Sequence, residues 1–197
     1  MAKKTTKTIQ IGLSKLHYAV YDETQGTYGT PVPFVGSVKM SRTVNSSDSS
    51  FYADDGLFWS DTSVTDSDVE LEVAFLPDEF MTDVMGQTKD ANGLVIEGKD
   101  DAVKQIALLF EVGSNKSPRR YAYYNVTPSI PDEEHNTRSD SSSPDTVTLK
   151  LKVGYQDFTV SGVETSVDKT YVTKGEGENK AWDKWFEQVV VPGATLE

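Results

Sequence analysis

Two histidines, His17 and His135, and no cysteine are all the imidazole and thiol groups this chain offers for catalysis or zinc binding. They lie far apart in sequence, one in an extended apolar run and one in a polar stretch, and nothing local pairs either with an acid. The G-x-S-x-G elbow, the phosphate-binding loop, the dinucleotide fingerprint and H-E-x-x-H are absent. Zinc and thiol chemistry therefore start with almost no ligands. Paired glycosidase acids come from distant positions and leave no local pattern. The acids here sit in alternating strands and polar loops, where solvation accounts for them. Asp54-Asp55-Gly56 and the stretch from Asp61 to Asp68 cluster oxygens, but the ordered loop that calcium demands is missing. No catalytic, metal or cofactor-binding residue is expected.

Lys116, Arg119 and Arg120 form the compact basic cluster of the chain interior, followed at once by Tyr121, Tyr123 and Tyr124. Cations beside rings suit phosphate contacts plus base stacking. In a strand, however, Tyr121 and Tyr123 share one side and Tyr124 takes the other, which spoils a single platform. Ion pairing with an acidic neighbouring subunit is the better functional reading of the cluster.

The charge balance agrees. There are 19 Lys+Arg against 31 Asp+Glu in 197 residues, a formal charge of -12. So acidic a chain is not expected to hold nucleic acid by neutralising its phosphates. Negative charge could instead let DNA pass nearby without being held, or could simply keep the protein soluble before assembly. The lack of cysteine favours a reducing compartment. Neither a secretion signal nor an apolar run long enough to cross a bilayer is expected.

The elements that must carry these residues read as mainly extended. Residues 1–8 form a basic, Thr-rich arm. Alternation begins at Ile9, Ile11 and Leu13 and continues through Leu16 to Tyr21, and Pro31 and Pro33 suit a sheet edge. Val35 to Val44 is expected to be a strand. The Ser-, Asp- and Asn-rich stretch 45–56 is expected to be a long loop. It carries Phe51 and Tyr52, which either fold back on the core or anchor a neighbour. Leu57-Phe58-Trp59 then opens a strand region interrupted by a Ser/Thr/Asp turn. Val69, Leu71, Val73 and Phe75 alternate cleanly with polar positions.

A short helix is expected over 77–86, with Pro77 and acids in its first turn and Gly86 at its exit. Asn92-Gly93 signals a hairpin turn. Strands 105–112 and 120–126 should pair antiparallel, 128–143 should be a long surface loop, and 147–153 another strand with a short partner around 158–163. Trp182, Trp185, Phe186 and Val189 recur at helical spacing and predict a second helix over 181–189, followed by a tail over 188–197. The spacing leaves no room for crossover helices. The fold expected is a single domain over 1–197, a mainly antiparallel β-sandwich or barrel with one flanking helix and a short C-terminal one.

A series of segments carries a resemblance. Ile11-Gly12-Leu13, Leu16-His17-Tyr18-Ala19-Val20 and Tyr28-Gly29-Thr30-Pro31-Val32-Pro33 open it. Phe51-Tyr52-Ala53-Asp54-Asp55, Leu76-Pro77-Asp78-Glu79-Phe80, Ala107-Leu108-Leu109-Phe110-Glu111 and Arg120-Tyr121-Ala122-Tyr123-Tyr124-Asn125-Val126 continue it in order. Over roughly residues 9–165 the chain resembles the major tail proteins of long-tailed bacteriophages of Gram-positive hosts. The resemblance implies a non-enzymatic subunit that forms hexameric rings stacked into a tail tube. Its partners would be further copies of itself, the tape-measure protein, and the tail-tip and terminator proteins. DNA would pass through an acidic channel without specific binding, and the protein would wait in the host cytoplasm before joining the virion, with no membrane involved. Phe51, Tyr52, Asp54, Asp55, Arg119 and Arg120 are the assembly-interface residues expected on this reading. The alternatives are a monomeric β-sandwich binding module, with Trp59, Tyr121 and Tyr123 as platforms for carbohydrate, and a hydrolase built on paired acids.

Overall fold

Period-two runs of apolar residues form the strands of the computed structural model, which describes residues 11–113, 117–132, 145–175 and 177–196. In chain order they are β1 (Leu13–Asp22), β2 (Thr27–Tyr28), β3 (Val32–Pro33), β4 (Ser37–Ala53) and β5 (Gly56–Val73). Helix α1 (Asp78–Asp83), β6 (Thr88–Lys89), β7 (Val95–Ile96), β8 (Ile106–Val112) and β9 (Arg119–Pro128) follow. The chain continues through β10 (Val147–Val153), β11 (Gln156–Val160), β12 (Val163–Val167), β13 (Lys169–Thr173) and α2 (Lys180–Lys184). One antiparallel sheet runs in the order β2-β1-β8-β9-β10-β5-β4, with β3 added on β1 and β13 on β9. The expected class, a mainly antiparallel β-sandwich with two short helices, is the one observed.

The central strands β1, β8 and β9 are buried on both faces, so their residues divide between two cores. On one face Leu16, Tyr18, Leu108, Phe110, Tyr123 and Val126 meet Val69, Leu71 and Val73 of β5 and Leu149, Leu151 and Val153 of β10. The sheet closes over itself there, and α1 seals the end with Phe80, Val84 and Met85. On the other face the small Ala19, Ala107 and Ala122 leave room for Trp185, with Leu109 and Tyr124 beside it. Phe158 and Val167 of the β11–β12 hairpin and Phe186, Val189 and Val190 after α2 complete that layer. Tyr124 Oη donates to Val190 O at 2.6 Å, tying the C-terminal segment down.

The expected split of the tyrosines holds: Tyr121 and Tyr123 pack toward the first core and Tyr124 lies in the second. Several boundaries move. The helix expected over 77–86 is confined to Asp78–Asp83, because Gly86 adopts φ +81 and ends the segment. The second helix spans Lys180–Lys184, capped by the Asn179 side chain, which accepts from Trp182 N at 3.1 Å. The short partner expected for β10 around 158–163 does not pair with it: β10 lies between β5 and β9, and β11 instead makes a separate hairpin with β12. Strand β13 falls in a polar stretch read without structure, and its backbone bonds to β9 override that weak pattern. The Asn92-Gly93 turn is present between β6 and β7. Most of the loop expected over 128–143, like the arm 1–8, lies outside the described residues.

The main correction concerns 45–56. It is not a loop, and no turn interrupts 57–68. Strands β4 and β5 pair continuously from Ser37↔Val73 to Ala53↔Gly56. Their distal halves form a two-stranded ribbon solvated on both faces, so side chains there need no apolar–polar alternation.

Candidate assembly surface

The ribbon begins where Arg42 fixes its root. Arg42 Nη2 donates to Ser67 Oγ at 2.8 Å and pairs closely with the Asp168 carboxylate, and its guanidinium lies 5.3 Å from the centre of the Tyr123 ring. Three residue pairs further out, the Asn45 amide donates to Asp66 at 2.6 Å and to Asp68 at 2.8 Å. That bond is the main cause holding the Asp66 carboxyl below its ordinary range, with the Lys152 ammonium 3.4 Å away adding to it. Beyond this point the partner strand β10 has ended and the ribbon continues alone. At about 3.3 Å per residue, positions 45–53 carry its tip roughly 30 Å further.

The tip is a two-residue reversal at Asp54 and Asp55, with φ +49 and +59, a turn whose twist matches its strands. Aspartate tolerates that conformation better than most side chains. Around the turn stand Phe51 (58% exposed), Tyr52 (68%), Leu57, Phe58 (72%) and Trp59 (51%). Phe51 pairs across the ribbon with Trp59 and Tyr52 with Leu57. A register shift between Phe51 and Tyr52 leaves Phe58 without an opposite residue, and its ring meets Phe51 edge-on at 6.2 Å. Rings so exposed on a ribbon that has no core of its own form an apolar patch presented to water.

Four of the residues expected at an interface, Phe51, Tyr52, Asp54 and Asp55, are thus brought together. Arg119 and Arg120 are not with them; they begin β9 in the body of the molecule. Arg120 is engaged inside its own chain. Its Nε donates to Glu111 at 2.8 Å, its Nη1 donates to Trp182 O, and its guanidinium lies 3.8 Å from the centre of the Trp182 ring. Glu111 also takes Lys15 at 3.2 Å. Burial alone would raise the Glu111 carboxyl, but the bonds from Arg120 and Lys15 and their positive charges hold it below the usual range. Arg119 instead lies with its guanidinium 5.3 Å from the Tyr171 ring centre.

Leu57, Phe58 and Trp59 are part of the tip and were not assigned to it from sequence. The signal was Asp54-Asp55-Gly56 between two apolar groups, which is a hairpin turn rather than part of a loop. His17 stacks on Phe186 at 4.6 Å, and its Nδ1 lies 2.9 Å from Lys15 O. Tyr123 is only 6% exposed, so it offers no platform to a sugar, and Trp59 stands on the ribbon away from it. Among the described residues no group of three or more acids and histidines could hold a metal ion.

Neither a family model nor a curated protein matches the chain. Among solved structures it is similar to a chain of the anti-feeding prophage (AFP) baseplate, determined by cryo-EM with six-fold symmetrisation. That match covers 85% of this chain and 97% of the other at 8% identity, with a TM-score of 0.40. A superposition this loose transfers no role, stoichiometry or partner.

Proposed function

We propose that the chain is a structural, non-catalytic subunit of the tail tube of a long-tailed bacteriophage, self-assembling into hexameric rings that stack around a channel for the genome. The observation that carries this reading is the ribbon: Phe51, Tyr52, Leu57, Phe58 and Trp59 are held in water at the end of a long two-stranded arm. A monomer gains nothing from that arrangement, whereas burying such rings against another subunit contributes on the order of a few kcal/mol per junction. The ordered series of segments resembling tail proteins supports the same reading. The acidic balance of the chain suits a channel that releases DNA. Tape-measure, tail-tip and terminator proteins would be the further partners, and the virion the final location.

Negative-stain electron microscopy and sedimentation velocity over a concentration series test the proposal. Rings or tubes of uniform diameter are expected. A chain that remains strictly monomeric at the highest concentration, also in the presence of tail-tip complexes, would exclude it.

A further inference from the structure

The self-assembly reading leaves open where the arm docks, and the distribution of charge along the chain restricts it. No Lys or Arg occurs between Arg42 and Lys89. Asp66, near the root, meets Lys152. Asp48, Asp54, Asp55 and Asp61, further out, have no cationic partner among the described residues. The arm therefore presents rings flanked by carboxylates that lack counter-charge.

The complementary surface lies on β13. This strand pairs with β9 on one edge and, among the described residues, with no strand on the other. Lys169 and Tyr171 are exposed along it and Lys174 follows. Arg119 lies over Tyr171, Tyr171 is 5.8 Å from Tyr121, and Tyr121 stacks on Phe110 at 5.3 Å. No carboxylate pairs with Arg119, Lys169 or Lys174 among the described residues. Rings and cations here answer rings and acids on the arm. Within one chain the Arg42–Asp168 pair joins the root of the arm to the start of β13, but among the described residues no ion pair or ring contact joins positions 46–63 of the arm to β13.

We propose that the arm of one copy seats on the β13 edge of a second copy, its carboxylates facing Arg119, Lys169 and Lys174 and its rings meeting Tyr171. This rests on the self-assembly reading and names the surface that receives the arm. Such a contact is head-to-tail: each copy keeps one arm and one edge free, which generates a closed ring or an open stack. An edge lysine also guards a strand against stray pairing, and that ordinary role makes no demand on the arm.

A charge exchange separates the two. Asp48→Lys with Asp61→Lys reverses the arm; Lys169→Glu with Lys174→Glu reverses the edge and leaves the Arg119–Tyr171 contact intact. Each variant alone is expected to need about tenfold more protein than wild type to assemble, and an equimolar mixture is expected to recover assembly, since opposite charges again face each other. Sedimentation velocity reads the result and thermal melting confirms that both variants fold. Should either unfold, the neutral Asp61→Asn and Lys169→Ser variants, each expected to weaken assembly more in low salt than in high, take its place. Wild-type assembly that persists in either reversed variant, or a mixture that stays apart, would overturn the docking site and leave the tube reading standing. A wild-type chain that never self-associates would remove both.

Discussion

Phe51 and Trp59 oppose each other across the arm, and both rings stand more than half exposed although the ribbon holds them in fixed register. Replacing Phe51 and Tyr52 together with Ser is therefore expected to leave the melting temperature within a few degrees of wild type while weakening assembly. Two rings kept from an interface contribute on the order of a few kcal/mol per junction. Melting followed by circular dichroism, with microscopy on the same sample, checks both halves. A large fall in melting temperature would mean that the rings support their own subunit.

Excising the ribbon is a stronger form of the same test. Replacing residues 47–63 by Asn-Gly closes β4 on β5 with a favoured two-residue turn. No side chain in that span is buried, so the sandwich should fold with little loss of stability. Hydrogen exchange of β8 and β9 should match wild type, and assembly should be lost.

Arg120 is expected to matter to the fold rather than directly to the contact between subunits. Its head and the Glu111 carboxylate are each little more than a tenth exposed. Arg120→Met would leave Glu111 with Lys15 alone, free the Trp182 carbonyl and remove the stack on Trp182. A loss of about 2–4 kcal/mol is expected, read from the urea midpoint at constant slope. A change below about 0.5 kcal/mol would show that α2 is held by its rings alone.

The same cluster sets an acid limit. The Glu111 carboxyl titrates below its ordinary range when folded, so its contribution is present above the unfolded value of about 4.3 and is lost as pH falls through the folded one. Stability should decline as pH drops below about 5, and Glu111→Gln should flatten that decline. At the other end, burial pushes Tyr18, Tyr28 and Tyr124 up to about 12. Those phenols contribute stability below the unfolded value of about 10, lost as pH rises toward the folded one. Absorbance at high pH should show them ionising late, together with unfolding.

Gly86 ends the α1 segment with φ +81, and a Cβ there would lie 2.7 Å from the Ala102 carbonyl oxygen and 2.8 Å from its nitrogen. Backbone cannot move aside as a side chain can. Gly86→Ala is expected to cost about 2 kcal/mol or more, seen as a lower urea midpoint. A neutral result would mean that the segment from Gly86 to Ala102 is free to shift.

The sequence alone determined the elements whose side chains face two different media. Val69, Leu71 and Val73 alternate because one face of β5 is core and the other water, and Leu149, Leu151 and Val153 do the same on β10. Trp182 and Trp185 declared the apolar side of α2 in the same way. The arm was misread as a loop because both its faces are wet: Ser46, Ser47, Ser49 and Ser50 meet no core, so nothing imposes a period. Only tertiary structure decided which charges are engaged. Arg119 and Arg120 are neighbours in sequence and alternate in direction along β9, so one stacks on Tyr171 while the other reaches Glu111 and Trp182, partners that the sheet and the C-terminal segment bring to it. Strand pairing and packing set those distances across the chain, and local spacing carries no record of them.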